Sequence, residues 1–258
     1  MKRQPDPIKL LLGEGPTFSL DRKTTALLVV DLNVNDAHPD GAVARLARRR
    51  GVFDLFTSYY ERIHDVVVPN VQKLLAAARE AGLTIIYLTT VSPVPIGGGS
   101  TTESDEIDSA ACIPVAGLES TDAQVLDEIA PRNGDLLVTK QTSGAFNSSM
   151  LDQVLRNLGI KVLVVVGVAT HRCVELTVRD AADRGYGILV VADACADFTE
   201  TLHEDALNRM DDGSRTEIGT TAEVLRRLSH LARTGDVTGD WEGFRAGPSS
   251  KEGSNGST

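Results

Sequence analysis

The sequence predicts a three-layer α/β domain, in which a six-stranded, mostly parallel β-sheet lies between two layers of helices. Short, almost continuous apolar runs recur along the chain, as is typical of strands buried on both faces of a parallel sheet. Amphipathic segments separate these runs, and a repeated strand, helix and strand predicts right-handed parallel crossovers. The 258 residues, 41% of them hydrophobic, are sufficient for one buried core.

The strands are assigned from the apolar runs and the helices from the segments between them. Gly82, Gly159 and Gly185 each follow a helical pattern and fit the left-handed position that ends a helix. The predicted strands cover residues 24–33, 83–90, 135–140, 161–170 and 186–193. The predicted helices cover residues 68–82, 148–159, 173–185 and 201–213, and a short sixth strand with a last helix lies within 214–232.

The chain is divided into one domain and two flanking segments. We expect the domain to span residues 24–232, with an N-terminal extension at 1–23. The tail at 233–258 is rich in Gly, Ser and Asp and is predicted to be disordered. Residues 36–60 form an insert between the first strand and the first helix, at the carboxyl edge of the sheet, where such folds bind ligands. We interpret this insert as a lid or a specificity element.

Charge and composition restrict the class of partner. The formal net charge is −10 and the pI is about 5.0, which argues against a broad electrostatic contact with nucleic acid or anionic lipid. A small molecule is the expected partner. Neither a signal peptide nor a membrane span is recognisable, so we expect a cytoplasmic protein. The three cysteines, Cys112, Cys173 and Cys195, are too few for a disulfide framework or a tetrahedral zinc site.

Three chemically capable residues follow predicted strands. Asp31, Lys140 and Cys173 stand at the ends of the first, third and fourth strands, and the carboxyl ends of parallel strands meet at one edge. A helix N-terminus and a nearby ammonium would both favour the Cys173 thiolate. Position alone leaves another interpretation open, in which the cysteine is a core residue, the aspartate caps a turn and the lysine is solvated.

Three stretches together resemble one family. They are "ALLVVDLN" with Asp31, "VTKQTSGAF" with Lys140, and "VVVGVATHRCVELTVRDAADRGYGILVVADA" with Cys173. In this order they resemble the isochorismatase-like cysteine hydrolase superfamily, which includes nicotinamidases, N-carbamoylsarcosine amidohydrolase, ureidoacrylate amidohydrolases and biuret hydrolases. The resemblance extends from about residue 24 to residue 230.

The resemblance implies a catalytic Asp31–Lys140–Cys173 triad and a cis peptide bond between Val168 and Ala169. The Ala169 and Cys173 N–H groups would then form an oxyanion hole. The implied reaction is hydrolysis of a carbon–nitrogen bond through a thioester. Isochorismatases of this superfamily cleave a vinyl ether and lack the cysteine, so Cys173 favours C–N hydrolysis.

The substrate-binding residues are predicted less directly. Asn33, Phe146 and His171 are the candidates, and Arg172 is interpreted as solvated. We expect no cofactor and no catalytic metal, because Asp36 and His38 do not match the position of the nicotinamidase pair. The arginines of the insert would either anchor a substrate carboxylate or form a solvated face or subunit contact. They are Arg45, Arg48, Arg49 and Arg50.

Several functions stay open at this point. The leading hypothesis is a metal-independent amidohydrolase for a small linear amide, ureido or carbamoyl compound, acting as a homodimer or homotetramer. A cyclic-amide or nicotinamide hydrolase is the second, with an aromatic wall from Phe56, Tyr59 or Tyr60. A non-catalytic ligand-binding protein is the third, and a redox sensor ranks last. Cys112 and Cys195 are interpreted as structural.

Overall fold

The computed structural model describes residues 16–92, 116–117, 120–211, 213 and 215–234, together with residues 7 and 11. The strands are β1 (Thr25–Val30), β2 (Thr84–Ser92), β3 (Ala116–Gly117), β4 (Leu136–Lys140), β5 (Val162–Val168), β6 (Gly187–Ala196) and β7 (Thr216–Gly219). The α-helices are α1 (Val34–Ala37), α2 (Ala42–Arg49), α3 (Thr57–Arg62), α4 (Val68–Ala81), α5 (Leu151–Asn157), α6 (Glu175–Asp183), α7 (Glu200–Met210) and α8 (Thr221–Thr234). Single π-helical turns span Ile63–Val67 and Thr170–Val174.

The predicted six-stranded parallel sheet is confirmed. Its strands lie in the order β4, β2, β1, β5, β6, β7, and every pairing is parallel. The two-residue strand β3 pairs with the end of β2 and makes a short seventh strand. The central strands β1 and β5 are buried along their whole length, which explains why they are apolar at every position.

Helices cover both faces of the sheet and form two core clusters. Alternate residues of β1 belong to different clusters, since Leu27 faces one layer and Leu28 the other. Helices α4 and α8 pack on the Leu27 side, and α5, α6 and α7 pack on the Leu28 side. Each fully buried leucine contributes about 1.5–3 kcal/mol relative to an exposed one. The site therefore stands on a rigid, close-packed sheet.

Several predicted boundaries differ from the structure. The 36–60 insert, to which no helix was assigned from the sequence, is largely helical, with α2 and most of α3 inside it. Helix α5 begins at Leu151 rather than at 148, because the Ser148 and Ser149 hydroxyls accept backbone N–H bonds in the preceding turn. Helix α8 continues to Thr234, two residues into the predicted tail. The rest of that tail lies outside the described residues.

The N-terminal extension contacts the domain over its last described part. Leu20 is buried. The Phe18 N–H donates to the side chain of Glu217, which belongs to strand β7, at 3.1 Å. Residues 16–23 therefore belong to the packed structure. No helix in the described part of the chain combines the length and apolar character needed to cross a membrane.

Candidate active site

A buried ion pair lies at the carboxyl edge of the sheet. Asp31 follows β1 and Lys140 ends β4, and the Lys140 Nζ lies 2.8 Å from Asp31 Oδ2. Both side chains are at most 1% exposed. Thr90 of β2, which lies between these strands, donates to Asp31 Oδ1 from its N–H at 2.9 Å and its hydroxyl at 3.0 Å. Strand β2 therefore holds the carboxylate in place through two hydrogen bonds to one of its oxygens.

The charges of this pair support each other. Burial lowers the pKa of the Lys140 ammonium, but the negative charge of Asp31 acts in the opposite direction, and the net shift is upward. Lys140 also donates to the Thr142 carbonyl oxygen at 3.1 Å. A lysine with a raised pKa stays protonated at neutral pH and keeps its positive charge in the site.

Cys173 lies in the π-helical turn that precedes α6 and faces the ion pair. The residue is 5% exposed, and its thiol lies near enough to Asp31 and Lys140 for their charges to shift its pKa. Burial raises the pKa of the thiol well above its usual range, and the charge of Asp31 raises it further, while Lys140 lowers it. Burial therefore opposes the thiolate that the helix N-terminus and the ammonium favour.

A glycine brings the ends of β1 and β5 together beside the cysteine. Gly167 pairs with Val30 and has a backbone φ of 129°, a conformation that residues with a side chain rarely adopt. A Cβ atom at this position would lie 2.0 Å from the Val30 carbonyl oxygen. One residue further along the chain, the peptide bond between Val168 and Ala169 is cis. Asp31 and the segment before Cys173 therefore start from adjacent strand ends.

A narrow cavity of about 10 Å³ opens in front of the thiol. Cys173 and Ala169 line it from the sheet side. Its other lining residues come from the insert and from the turns beyond β5 and β6, and they are Asp36, Val43, Tyr59, Arg172 and Phe198. The insert therefore contributes to the pocket wall.

Asp36 brings a second carboxyl group into this pocket. Burial, followed by the negative charge of Asp31, raises its pKa to about 7, while a hydrogen bond with Asn35 lowers it. Asp36 was considered at the sequence level only as a metal ligand. The structure places it on the pocket wall beside Cys173.

The three predicted substrate-binding residues lie outside the pocket lining. Asn33 is fully buried and caps α1, where its Oδ1 accepts the Asp36 N–H at 3.0 Å. Phe146 packs against Tyr186, which precedes β6 at the opposite edge of the sheet. His171 binds Asp197 through Nδ1 at 2.7 Å. The side-chain positions of these residues do not support direct contact with a substrate.

The arginines of the insert and His38 also lie outside the pocket lining. Arg45 forms an ion pair with Asp122 at 2.5 Å, and the Arg48 guanidinium stacks on Phe53. Arg49 and Arg50 are exposed. His38 accepts the Asp40 N–H through Nδ1 at 3.1 Å. These contacts within the protein do not favour a role of Arg45 and Arg48 in anchoring a substrate carboxylate.

Other assignments concern Arg172, the remaining cysteines and the metal. Arg172 was interpreted as solvated, but it is half-buried and lines the pocket. Cys195 is a free, fully buried core residue, and Cys112 lies outside the described residues. Within the described ranges, no group of three His, Cys, Asp or Glu side chains is arranged to hold a metal ion.

Sequence reasoning also missed Thr90 and Phe198. Thr90 ends the run "YLTT" of β2, and Phe198 follows β6 in "ADF", so both occupy the same carboxyl edge as the predicted residues. This position was the available signal. Their contacts depend on neighbours that are distant in sequence.

Comparison with known proteins gives the family. A model of the isochorismatase domain matches residues 51–223. The ureidoacrylate amidohydrolase RutB of Methylobacterium radiotolerans is 31% identical over 206 residues, which cover 75% of this chain and 76% of that protein. The protein of the same name from Pseudomonas syringae pv. syringae is 34% identical over 203 residues, 74% of each chain.

Solved structures agree with this relationship. A cysteine hydrolase from Pseudomonas syringae pv. phaseolicola has a TM-score of 0.66 and 26% identity, covering 84% of this chain and 98% of that one. The N-carbamoylsarcosine amidase of Thermoplasma acidophilum has a TM-score of 0.53 at 24% identity, covering 77% and 96%, and this likeness bears on the fold alone. From the matched domain, the identities and the shared architecture, it follows that this chain belongs to the isochorismatase family and is a hydrolase.

Proposed function

We propose that the protein is a cysteine-dependent amidohydrolase, which cleaves a C–N bond of a small amide, ureido or carbamoyl compound through a thioester. The observation that carries this proposal is the buried Asp31–Lys140 ion pair with the Cys173 thiol beside it, facing a small pocket. The curated relatives named as ureidoacrylate amidohydrolases support the same class.

The first half-reaction begins with a neutral thiol, so proton transfer must accompany attack. Asp31 Oδ1 already accepts two hydrogen bonds from Thr90, which leaves Oδ2 to take the thiol proton. The Cys173 Sγ then forms a bond to the carbonyl carbon, and the π electrons move to the carbonyl oxygen. When the intermediate collapses, the C–N bond breaks and the leaving nitrogen receives the proton from Asp31.

The second half-reaction returns the enzyme to its starting state. Water adds to the thioester carbon and gives one proton to Asp31. The C–S bond then breaks, and the thiolate recovers the proton from Asp31. The products are the free acid or carbamate and the amine or ammonia, and the thiol is restored.

The negative charge that forms on the carbonyl oxygen needs donors. We assign the oxyanion hole to the N–H groups of Ala169 and Cys173, because both residues line the pocket. Lys140 remains protonated and offsets the charge that moves between sulfur and Asp31. The negative charge that develops in the reaction is therefore stabilised by the two N–H groups and by the Lys140 ammonium.

A second substrate class has support from one feature of the pocket. The rings of Tyr59 and Phe198 both line it and lie 4.9 Å apart between centroids. Such a wall suits a planar substrate such as nicotinamide. A non-catalytic binding protein is disfavoured, because ligand binding alone does not need a buried lysine–aspartate pair beside a thiol.

The test measures ammonia release from a panel of carboxamides, ureido acids, carbamoyl amino acids and nicotinamide. Cys173→Ala should abolish turnover, whereas Cys195→Ala, which removes a core thiol, should retain it. Mass spectrometry of the quenched native enzyme should detect an acyl or carbamoyl adduct on Cys173. Turnover by Cys173→Ala, or activity without any adduct on this residue in single-turnover experiments, would contradict the thioester mechanism.

A further inference from the structure

The proposed mechanism does not use the carboxyl group of Asp36. This residue lies in α1, five positions after Asp31, and is 8% exposed. It lines the same pocket as Cys173 and Ala169. A buried carboxyl group next to a nucleophile is costly to maintain, and its position therefore needs an explanation.

The backbone of Asp36 is held firmly, but one side-chain oxygen is not. Its N–H donates to Asn33 Oδ1 at 3.0 Å, and its carbonyl oxygen accepts the Tyr59 hydroxyl at 3.1 Å. The Oδ2 atom has no hydrogen-bond partner among the described residues. Since buried polar atoms are almost always paired, a bound molecule is the expected source of the missing donor.

The charged groups around Asp36 do not supply that donor. Lys140 is paired with Asp31 at 2.8 Å, and it affects Asp36 only through its charge. Asp31 is itself an acceptor. Tyr59 uses its hydroxyl on the Asp36 backbone. Hydrogen bonds with the side chains of Asn35 and Asn33 lower the pKa of Asp36, yet Oδ2 has no partner among the described residues. An N–H or O–H group of the substrate can therefore complete it.

The proposed mechanism indicates which part of the substrate this is. Asp31 must deliver a proton to the leaving nitrogen, so it occupies the leaving-group side of the carbonyl. A small substrate attached to Cys173 then presents its other substituent to the remaining pocket wall, where Asp36 lies. An N–H at this position exists in ureido and carbamoyl compounds and is absent from simple carboxamides.

We propose that Asp36 is a specificity-determining residue that binds an N–H group on the retained side of the scissile carbonyl, so that ureido and carbamoyl compounds are preferred over carboxamides. This inference rests on the proposed function and names its substrate class. Nicotinamide carries no N–H on that side and should be a poor substrate.

The experiment compares pairs of compounds that differ only in an N–H or a CH₂ group. N-carbamoylglycine is paired with succinamic acid, and N-carbamoyl-β-alanine with glutaramic acid. The native enzyme should favour the carbamoyl member by about 10- to 100-fold in kcat/KM, the range expected for a hydrogen bond to a charged group. Asp36→Asn should reduce this ratio, and Asp36→Leu should bring it to within about twofold of unity.

Asp54→Asn is the matched control, since it changes an exposed carboxylate of the same insert and should keep the native ratio. Circular dichroism confirms that each variant is folded. A native preference that survives Asp36→Leu overturns the inference, while ammonia release that depends on Cys173 leaves the proposed function intact. The absence of any native preference overturns it as well.

A binding measurement separates the two proposals. Cys173→Ala is titrated calorimetrically with the intact compounds, with and without Asp36→Leu. If no compound is hydrolysed by the native enzyme but the carbamoyl members bind in an Asp36-dependent manner, the inference holds and the proposed function fails. If neither turnover nor binding distinguishes the pairs, Asp36 has no role in specificity.

Discussion

The two sides of the pocket differ in how the charge of their carboxyl groups is compensated. On the strand-end side, Asp31 lies 2.8 Å from the Lys140 ammonium and accepts two hydrogen bonds from Thr90. On the insert side, Lys140 affects Asp36 only through its charge, and Asp36 Oδ2 has no hydrogen-bond partner among the described residues. The first carboxylate has its counter-charge in place before a substrate arrives, as preorganised catalysis requires. The second is completed by the substrate, as selection requires. The comparison assigns chemistry to the sheet and choice of substrate to the insert.

Breaking the strand-end side should give the largest effect. Lys140→Met leaves the Asp31 carboxylate buried and unpaired, so we expect a loss of about 3–5 kcal/mol in the free energy of unfolding. Urea denaturation measures this loss. The double variant Asp31→Asn, Lys140→Met should recover most of the stability and remain inactive. If Lys140→Met alone is as stable as the native protein, the Asp31 carboxylate is accessible to water.

Changing the insert side should affect stability only at higher pH. The pKa of Asp36 is raised from 3.8 to about 7, so its ionisation in the folded state is unfavourable, and native stability should fall as the pH rises between these values. At about 1.4 kcal/mol per pKa unit, the loss is at most about 4–5 kcal/mol.

Urea denaturation of native protein and Asp36→Asn at pH 4.5 and pH 8 checks this direction. The variant should gain stability relative to the native protein at pH 8, because the amide does not ionise. Asp54→Asn, an exposed carboxylate change, should show a difference that does not depend on pH. A gain at pH 4.5 that equals the gain at pH 8 would contradict the assignment.

A smaller effect is expected where the insert holds Asp36 in place. Tyr59→Phe removes the hydrogen bond to the Asp36 carbonyl oxygen and should cost about 0.5–1.5 kcal/mol of stability. It should raise KM for carbamoyl compounds more than it lowers kcat. Tyr186→Phe, whose hydroxyl binds Asp152, is the control and should leave KM unchanged. A change in kcat alone would show that Tyr59 acts on the chemical step rather than on substrate binding.

Removal of metal ions should have no effect on either side. We expect dialysis against EDTA to leave kcat and KM unchanged, because the proposed mechanism uses the ammonium of Lys140 rather than a metal. Elemental analysis of the dialysed protein provides the control. Activity that is lost with EDTA and restored by a divalent cation would contradict this prediction.

The two sides also differ in how far the sequence predicts them. The ends of buried strands are visible as apolar runs, so Asp31, Lys140 and Cys173 could be assigned to one edge of the sheet. The insert wall depends on how short helices pack after the chain has turned several times, which is why Val43 and Asp36 were not recognised as pocket residues. The burial of Cys173, which raises the pKa of its thiol, also cannot be read from its position before a helix.

The position of Lys140 has a consequence for the whole enzyme. Among the described strands, β4 pairs only with β2, and Leu137 in this strand is 56% exposed. The lysine thus belongs to an edge strand, and such strands detach from a sheet more readily than central ones. Partial detachment of β4 would remove the ammonium while the core remains folded. Under mild denaturing conditions the protein would then lose its activity well before it loses its overall structure.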